Sequence, residues 1–551
     1  MEETTKPKKK VKKESFMQGV IAIVFSQVLI KVLGLAYRLY LTNKPGFGDE
    51  GNAIFSAGYF IYMLLLTISS TGVPNAVSRL VAEKTALGDK KGAQRIFQVA
   101  LRTFATLGAI GSIALVIGAK AIATTLVQIP EAEYTLVTLA PSVFFVSIAS
   151  VLTGYFNGKQ RMRAGAIDNT IEQIAKTVFT IGIVEFVAAA FARNTVYMAI
   201  GATVSSTIST AIGMLYLVVY YRRYKKENIE EFKEIENQEN YKEESVKSVI
   251  KQILAVSIPI TLSSLMSSVN KNIDSFTVVR NLKAFMTEAE AKIQYGILVG
   301  KVDILIGLPL SFNIAFQIAL VPAIAAALAK KDFETINKRV SFSMLLTMLI
   351  GFPCTIGMVI FASPILELLF SNGSSGVMLL QISAFTIFFT VLTQTMNGIL
   401  QGIGKVMVPA KAFLAGITAK FIFNMIFIKQ PWFGANAAAT GSVLCHVIIF
   451  IIDYIVIRKS IGFKLELKKY VFKPAIATLV MSVISYGSYF LMRKFLLGIV
   501  PSKIITIVAL IIAVITYLIS ILLFRVLSKE EIEMLPKGNK INKIIDKVTG
   551  K

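Results

Sequence analysis

Residues 16–41 have the sequence FMQGVIAIVFSQVLIKVLGLAYRLYL, an apolar stretch with only two charged side chains, Lys31 and Arg38. A helix of about 20 apolar residues crosses the hydrocarbon core of a bilayer, so this stretch predicts a membrane span. Similar stretches follow along almost the whole chain, and 54% of its residues are hydrophobic. The pattern predicts an all-α polytopic membrane protein.

We predict about 14 transmembrane helices, separated by short polar connections. Alternate connections are rich in lysine and arginine, and the positive-inside rule assigns these connections and both termini to the cytoplasm. The glycine-rich residues 46–51 then form a tight turn outside the membrane. The predicted spans are residues 16–41, 52–72, 93–119, 134–156, 165–190, 196–220, 249–271, 296–327, 340–361, 377–401, 408–428, 433–457, 471–492 and 504–526.

Two short motifs recur about 245 residues apart and indicate an internal duplication. Val73-Pro74 recurs as Val321-Pro322, and Asn157-Gly158 recurs as Gln401-Gly402. Because both copies occupy equivalent loops, we predict two six-helix lobes related by a pseudo-twofold axis along the membrane normal. The last two spans lie outside the duplication.

This interpretation divides the chain into six parts. They are a basic cytosolic N-terminal tail at 1–15, an N-terminal lobe at 16–221, a charged cytosolic linker at 222–248, a C-terminal lobe at 249–457, two further helices within 458–527 and a cytosolic C-terminal tail at 528–551.

Composition and motifs argue against several classes of protein. The net charge is +25, but the basic residues lie in separate loops rather than in the continuous stripe typical of nucleic-acid-binding proteins. The chain has one histidine and two cysteines, and no cluster of either with metal-ligand spacing. It contains no Walker-type phosphate loop. We therefore expect a transporter without a resident cofactor or metal, and neither an ATP-driven pump nor an enzyme.

Five basic side chains are predicted within the spans, although a charge at the bilayer centre costs about 2.5–3.5 kcal/mol on insertion scales. Lysine and arginine are the natural partners of phosphate, and a low dielectric strengthens the pairing. We predict that these side chains converge on a central cavity and bind the diphosphate group of a substrate. They are Lys31, Arg38, Lys176, Lys301 and Lys420.

Structural interpretations of some charges stay open. Arg38 can extend to the outer interface, and Lys176 can pair with Glu172 one turn before it. Lys271 can likewise pair with Asp274. No carboxylate on its own span lies near Lys420.

Four carboxylates in or near the same spans are candidates for energy coupling. We predict that they bind a coupling cation, either Na⁺ or a proton. They are Asp168, Glu172, Asp274 and Asp303.

Three stretches resemble the stage V sporulation protein B/YtgP-like polysaccharide transporters. They are residues 71–83 (TGVPNAVSRLVAE), 154–162 (GYFNGKQRM) and 258–262 (IPITL), each with similar residues around it. That family belongs to the MOP exporter superfamily, together with MurJ-like lipid II flippases and MATE drug exporters. The resemblance extends along nearly the whole chain.

The resemblance implies an alternating-access carrier that flips undecaprenyl-diphosphate-linked peptidoglycan precursor, lipid II. In MurJ-like proteins basic cavity residues hold the diphosphate. Lys31 matches the first of these, Arg38 matches the second within one residue, and Lys301 lies near the basic position of the eighth span. The expected location is the bacterial cytoplasmic membrane. We expect a monomer in contact with membrane lipids, with cell-wall synthesis proteins as further partners.

Two other substrates stay open within the transporter class. One is another lipid-linked oligosaccharide, such as a teichoic-acid, capsule or O-antigen unit. The other is a drug or cation exchanged by a MATE-type antiporter, although the predicted basic residues argue against it.

Overall fold

The computed structural model describes residues 16–230, 232, 244–464, 466, 468–496, 498–528 and 532. The predicted N-terminal tail lies outside these residues, as do part of the predicted linker and most of the predicted C-terminal tail.

Within the described residues, seven helices begin before the predicted linker, and the last of them extends into it. They are α1 (Phe16–Asn43), α2 (Gly48–Thr67), α3 (Val73–Ala86), α4 (Lys90–Ala121), α5 (Ala132–Gly158), α6 (Arg163–Ala190) and α7 (Thr195–Glu227). A π-helical turn at Ile68–Gly72 joins α2 to α3, and a second one at Ile122–Val127 follows α4.

Ten helices follow the predicted linker. They are α8 (Val246–Leu282), α9 (Glu288–Ile297), α10 (Asp303–Ala329), α11 (Phe333–Ile360), α12 (Ala362–Leu369), α13 (Val377–Gly402), α14 (Met407–Phe427), α15 (Asn436–Ile461), α16 (Lys473–Leu496) and α17 (Ser502–Leu523). Further π-helical turns lie at Leu298–Val302, between α9 and α10, and at Lys468–Phe472, before α16.

The all-α membrane fold is confirmed, and a helix overlaps every predicted span. Within the described residues, 12 helical stretches are long and apolar enough to cross a membrane. The long helices α1 and α8 are not among these 12 stretches, but they cover the first and seventh predicted spans. The total of 14 spans stays a prediction.

The eighth predicted span differs from the structure, because its helix begins earlier, at Glu288. Thr287 caps this helix because its side chain accepts a hydrogen bond from the backbone N–H of Glu290, and the Glu290 side chain accepts one from the N–H of Thr287. Such a capping box is a start signal in polar sequence, outside the apolar run that defined the span.

The chain divides into two compact units. Unit 1 contains residues Met1–Tyr37, Gly58–Ile122 and Glu131–Leu265, and unit 2 contains Arg38–Ala57, Ala123–Pro130 and Met266–Lys551. In unit 1, α5 packs against α3, α4 and α7, and α6 packs against α7. In unit 2, α13 packs against α10, α11 and α15, α14 packs against α15, and α16 packs against α17.

The recurring motifs meet each other within each unit. In unit 1, a Cβ added at Gly158 would lie 2.8 Å from the carbonyl oxygen of Ser78 on α3. In unit 2, a Cβ added at Gly402 would lie 2.7 Å from Cβ of Ile324 on α10. The duplicated glycines therefore allow equivalent helices to approach closely.

A second correspondence links the helices that follow these motifs. The Asp89 side chain accepts a hydrogen bond from the N–H of Gly92 at 2.7 Å and caps α4. Asp332 caps α11 in the same way, through the N–H of Thr335 at 3.0 Å. Each cap begins the helix that follows a copy of the repeated motif, which supports the internal repeat.

We predict that Gly158→Ala destabilises the protein by about 1–3 kcal/mol, because the new methyl group overpacks a closed contact with α3. Gly182→Ala in α6 is the matched control, since nothing lies within 4 Å of its added Cβ. This control should be neutral or slightly stabilising because alanine favours a helix. The melting temperatures of both variants are measured by thermal unfolding of the full chain in nanodiscs. Equal melting temperatures of Gly158→Ala and Gly182→Ala would contradict the close contact.

Candidate functional site

The Lys420 ammonium group lies in unit 2 and is completely buried. It donates hydrogen bonds to the backbone oxygen of Asn270 at 3.1 Å, to Oδ1 of Asn270 at 3.0 Å and to Oδ2 of Asp274 at 2.7 Å. These three acceptors match the three donors of the ammonium group. A carboxylate from another helix thus neutralises Lys420, which no residue on its own helix could do.

The surrounding side chains fix this pair in position. Asn424, one turn after Lys420, donates to Oδ1 of Asp274 at 3.2 Å and to Oγ1 of Thr277 at 3.0 Å. Gly441 of α15 lies against the Lys420 stem, where an added Cβ would be 3.4 Å from Cγ. We call Asn270, Asp274, Lys420 and Asn424 the Lys420 cluster. It joins α8 to α14 inside unit 2.

A second buried ion pair joins the start of α2 to the π-helical turn before α10. Lys301 is 1% exposed and donates to Oδ2 of Asp49 at 2.9 Å. It also donates to the backbone oxygen of Asn372 at 2.9 Å and to Oγ of Ser375 at 2.7 Å. We call Asp49, Lys301, Asn372 and Ser375 the Asp49 latch.

Neighbouring backbone contacts reinforce the latch. Asn43 at the end of α1 donates to the carbonyl oxygen of Leu369 at 2.7 Å and accepts from the N–H of Ser371 at 2.6 Å. A Cβ added at Gly296 would lie only 1.7 Å from the backbone oxygen of Asp49. The turn between α1 and α2 is thus held tightly within unit 2.

These contacts involve two of the predicted substrate ligands, whose binding of a diphosphate stays a prediction. Lys301 and Lys420 each use all three N–H donors on acceptors of the protein. Neither has a donor left for a diphosphate in this conformation. Their geometry is that of structural ion pairs.

In unit 1, Lys176 of α6 lies among aromatic side chains. Its ammonium group donates to the hydroxyl oxygen of Tyr59 at 2.9 Å, and it lies 4.3 Å from the ring centroid of Tyr59 and 5.4 Å from that of Tyr37. Glu172, one turn earlier, accepts a hydrogen bond from Thr210 at 3.0 Å and interacts electrostatically with Lys176. The predicted Glu172–Lys176 association therefore forms within a larger polar cluster.

Asp168 lies one turn further from Lys176 along the same helix. It is 6% exposed, and a Cβ added at Gly213 would lie 2.7 Å from its Oδ1. Asp168 and Glu172 interact electrostatically, so two carboxylates and one lysine follow one another on α6. We call Tyr59, Asp168, Glu172 and Lys176 the Lys176 cluster.

Lys31 is exposed, near the middle of the apolar α1. One turn later, Gly34 faces α6, where its added Cβ would lie 3.9 Å from Nε2 of Gln173. Residues three apart share a helix face, so Lys31 projects from the side of α1 that faces α6. The buried Nε2 of Gln173 has no hydrogen-bond partner among the described residues.

Arg38 and Asp303 occupy half-buried positions in unit 2. The Arg38 guanidinium carbon lies 4.6 Å from the ring centroid of Phe55, and Nη1 donates to Ser56 at 3.4 Å. Asp303 interacts electrostatically with Asp274. The structure thus groups Lys31 and Lys176 in unit 1, and Arg38, Lys301 and Lys420 in unit 2. Convergence of all five on one cavity stays a prediction.

The sequence interpretation missed Asp49 and Tyr59. Asp49 lay in a segment interpreted as an external turn, although a carboxylate in the first turn of a helix is also a common N-terminal signal. Tyr59 carried no signal, because a tyrosine inside an apolar span is ordinary.

Comparison with known proteins now identifies the family. The sequence model of the family described as "Polysaccharide biosynthesis protein" matches residues 16–328, more than half of the chain. The chain belongs to this family. A second family model, MatE, matches residues 301–426.

Two relatives from Bacillus subtilis (strain 168) cover most of the chain. Stage V sporulation protein B is 24% identical over 536 residues, which are 95% of this chain and 98% of the relative. Lipid II flippase MurJ is 22% identical over 481 residues, which are 85% and 86% of the two chains.

Solved structures share the fold at low identity. Lipid II flippase MurJ in an inward closed conformation has a TM-score of 0.67 and 15% identity, and the match covers 92% of this chain and 98% of that one. An inward-facing MATE family multidrug resistance transporter of the MOP superfamily has a TM-score of 0.65 and 15% identity, with 81% and 98% covered. The expected MATE/MurJ-like fold is confirmed. The chain is a multi-pass membrane protein of the polysaccharide biosynthesis family, and the named flippase and the MATE structures to which it is similar are transporters rather than enzymes.

We predict that Lys301→Met destabilises the protein by about 3–5 kcal/mol, since it leaves the Asp49 carboxylate buried without its cation. The double variant Asp49→Asn/Lys301→Met should lose much less than the sum of the two single variants. The free energies of unfolding of the wild type, the two single variants and the double variant, measured in mixed micelles, give the coupling energy between Asp49 and Lys301.

The exposed pair Glu334–Lys338 supplies the control cycle, because its side chains are 80% and 66% exposed. Its coupling should be about 0–1 kcal/mol. A coupling in the Asp49 latch no larger than that of the control would show that the latch contributes nothing to stability.

Proposed function

We propose that the chain is a flippase that moves undecaprenyl-diphosphate-linked peptidoglycan precursor, lipid II, across the bacterial cytoplasmic membrane by alternating access. The similarity to a protein named lipid II flippase MurJ, over 85% of this chain, supports this substrate. We further propose that the protein acts as a monomer with both termini in the cytoplasm, among membrane lipids and cell-wall synthesis proteins.

The observation that carries this proposal is the exposed Lys31 in the middle of α1. A charged side chain at that depth is too costly in contact with lipid tails, so it faces a water-filled space or a polar ligand. Helix α1 contains no acidic residue, so neither Lys31 nor Arg38 can be neutralised within its own helix. Lys31 forms the first contact for the diphosphate.

Lys176 is the next cation on the same unit. It is 7% exposed and held by Tyr59, so it acts through its electric field more than through direct bonding in this conformation. Low dielectric around a buried charge extends that field. Lys301 and Lys420 donate to acceptors of the protein in this conformation, and their binding of the diphosphate stays a prediction.

The membrane potential can drive both the outward step with the substrate and the inward return of the empty carrier. An anionic headgroup that moves outward across an inside-negative membrane gains about 2.3 kcal/mol per charge per 100 mV. After release, the empty basic site carries positive charge, and the same field favours its return inward. No nucleotide is needed for either step.

A coupling cation, Na⁺ or a proton, is proposed to bind at carboxylates of these clusters. Asp168 and Glu172 are the favoured pair, because they adjoin Lys176 on α6. Cation binding there would change the charge beside the substrate cation. Asp274 and Asp303 are the second pair, with Asp274 already occupied by Lys420.

The alternative substrate is another lipid-linked oligosaccharide. The second span, residues 52–72, contains no charged residue. This span therefore supplies no cation to hold a lipid II headgroup, which favours the alternative substrate. Undecaprenyl diphosphate is common to both substrates, so the proposed role of Lys31 is the same for each.

Rescue of a bacterium depleted of its lipid II flippase tests the proposal. Wild-type chain should restore growth, Lys31→Ala should not, and Lys31→Arg should restore it in part because the charge is kept. The matched control is Lys503→Ala, an exposed lysine at the start of α17. Immunoblots must show equal amounts of each variant.

Lys420→Ala should also fail to restore growth, but for a different reason from Lys31→Ala. It should reduce the amount of folded protein, because it leaves Asp274 without its cation. Full rescue by Lys31→Ala would refute the assigned site. Proteoliposomes that contain either lipid II or a peptide-free undecaprenyl-diphosphate oligosaccharide then separate the two substrates. Transport of the second alone would refute the lipid II assignment.

A further inference from the structure

Asp453, on α15 of unit 2, is completely buried. Neither of its carboxylate oxygens has a hydrogen-bond partner among the described residues. Asp49, Glu172 and Asp274 each accept at least one hydrogen bond, whereas Asp168 has one buried oxygen, Oδ1, without a partner. Among the described carboxylates, Asp453 differs in that both of its buried oxygens lack a partner.

The surroundings of Asp453 are apolar. Ile449 and Ile457, one turn before and after it on the same helix face, are at most 1% exposed. Ile449 packs with Ala412 of α14, and Ile457 belongs to the hydrophobic core that includes Met396 of α13. Asp453 therefore lies between two hydrophobic clusters.

No charged group compensates it within the described part of the chain. Helix α13 contains no charged residue, and on α14 Lys411 is exposed and Lys420 is held by Asp274. His446, two turns earlier on α15, has its Nδ1 2.9 Å from the backbone oxygen of Ser442. On α11, which also contacts α15, the charged residues Glu334, Lys338 and Arg339 lie in the first two turns. Asn337 of the same turns donates to the backbone oxygen of Ile461, at the far end of α15 from His446.

An ionised carboxylate in such a place is costly, and proteins avoid the cost by neutralising the group. We propose that Asp453 is a proton-binding site of unit 2, occupied in this conformation and emptied when the packing around α15 opens to water. A metal cation fits less well because hard cations need several oxygen ligands. No group of three or more metal-ligating side chains occurs among the described residues.

The position of Asp453 indicates the side from which the proton enters. It lies two turns before the end of α15 at Ile461, and Arg458 and Lys459 follow it in the last turn. Positive residues mark the cytoplasmic end of a span. The shortest route for the proton is therefore from the cytoplasm. Its use in transport rests on the proposed function, whereas proton binding itself does not.

Labelling with dicyclohexylcarbodiimide tests the site, because this apolar reagent modifies protonated carboxyl groups within membranes. Full-length protein in nanodiscs is labelled at a series of pH values with and without Na⁺, and the peptides are analysed by mass spectrometry. Asp453 should be labelled, less so as the pH rises, and without protection by Na⁺. The exposed helix cap Asp332 is the control and should stay unlabelled.

Two further measurements extend the test. The infrared band of a protonated carboxyl group should be present in the wild type and weaker in Asp453→Asn. Proteoliposome transport by Asp453→Asn should also lose most of its pH dependence. No adduct at any pH, or protection by Na⁺, would overturn the proton site.

If transport by Asp453→Asn had the same pH dependence as transport by the wild type, the coupling of the proton site to transport would be overturned. The wild-type labelling needs no variant, so a folding defect of Asp453→Asn leaves the test intact. Labelling of Asp453 in a protein that does not transport lipid II would refute the substrate and keep the proton site.

Discussion

Removing an ammonium group from water requires acceptors for all of its protons, and this constraint organises unit 2. Lys420 and Lys301 each meet it with three acceptors, one of which is a carboxylate. The attraction in a low dielectric offsets the desolvation only when the geometry is this complete. The ion pairs therefore fix α8 to α14, and the start of α2 to the turn before α10.

The helices and the repeat could be predicted from the sequence because they depend on local pattern. Apolar runs fix the spans, and glycines such as Gly158 and Gly402 lie at equivalent points in the two halves. The helix caps Asp89 and Asp332 are equally local signals. The number of spans was harder to predict from the sequence, because the length of a helix depends on polar ends that hydropathy does not detect.

The ion pairs could not be predicted in the same way. Lys420 and Asp274 are 146 residues apart, and Lys301 and Asp49 are 252 apart. A single sequence carries no information on which distant carboxylate meets which lysine. Intramembrane lysines therefore indicated that something must neutralise them, but a substrate and a carboxylate of the protein leave the same signal.

The division of the basic residues has a consequence for the transport cycle. Lys420 and Lys301 each have one carboxylate against them, so these two clusters are close to neutral, whereas Lys176 has two carboxylates near it, Glu172 and Asp168. Helix α1 contributes two cations and no acid. In the proposed cycle, a cation bound at Asp168 or Glu172 would reduce the negative charge beside Lys176. The attraction of Lys176 for the diphosphate would then increase, so that cation and substrate would favour each other's binding.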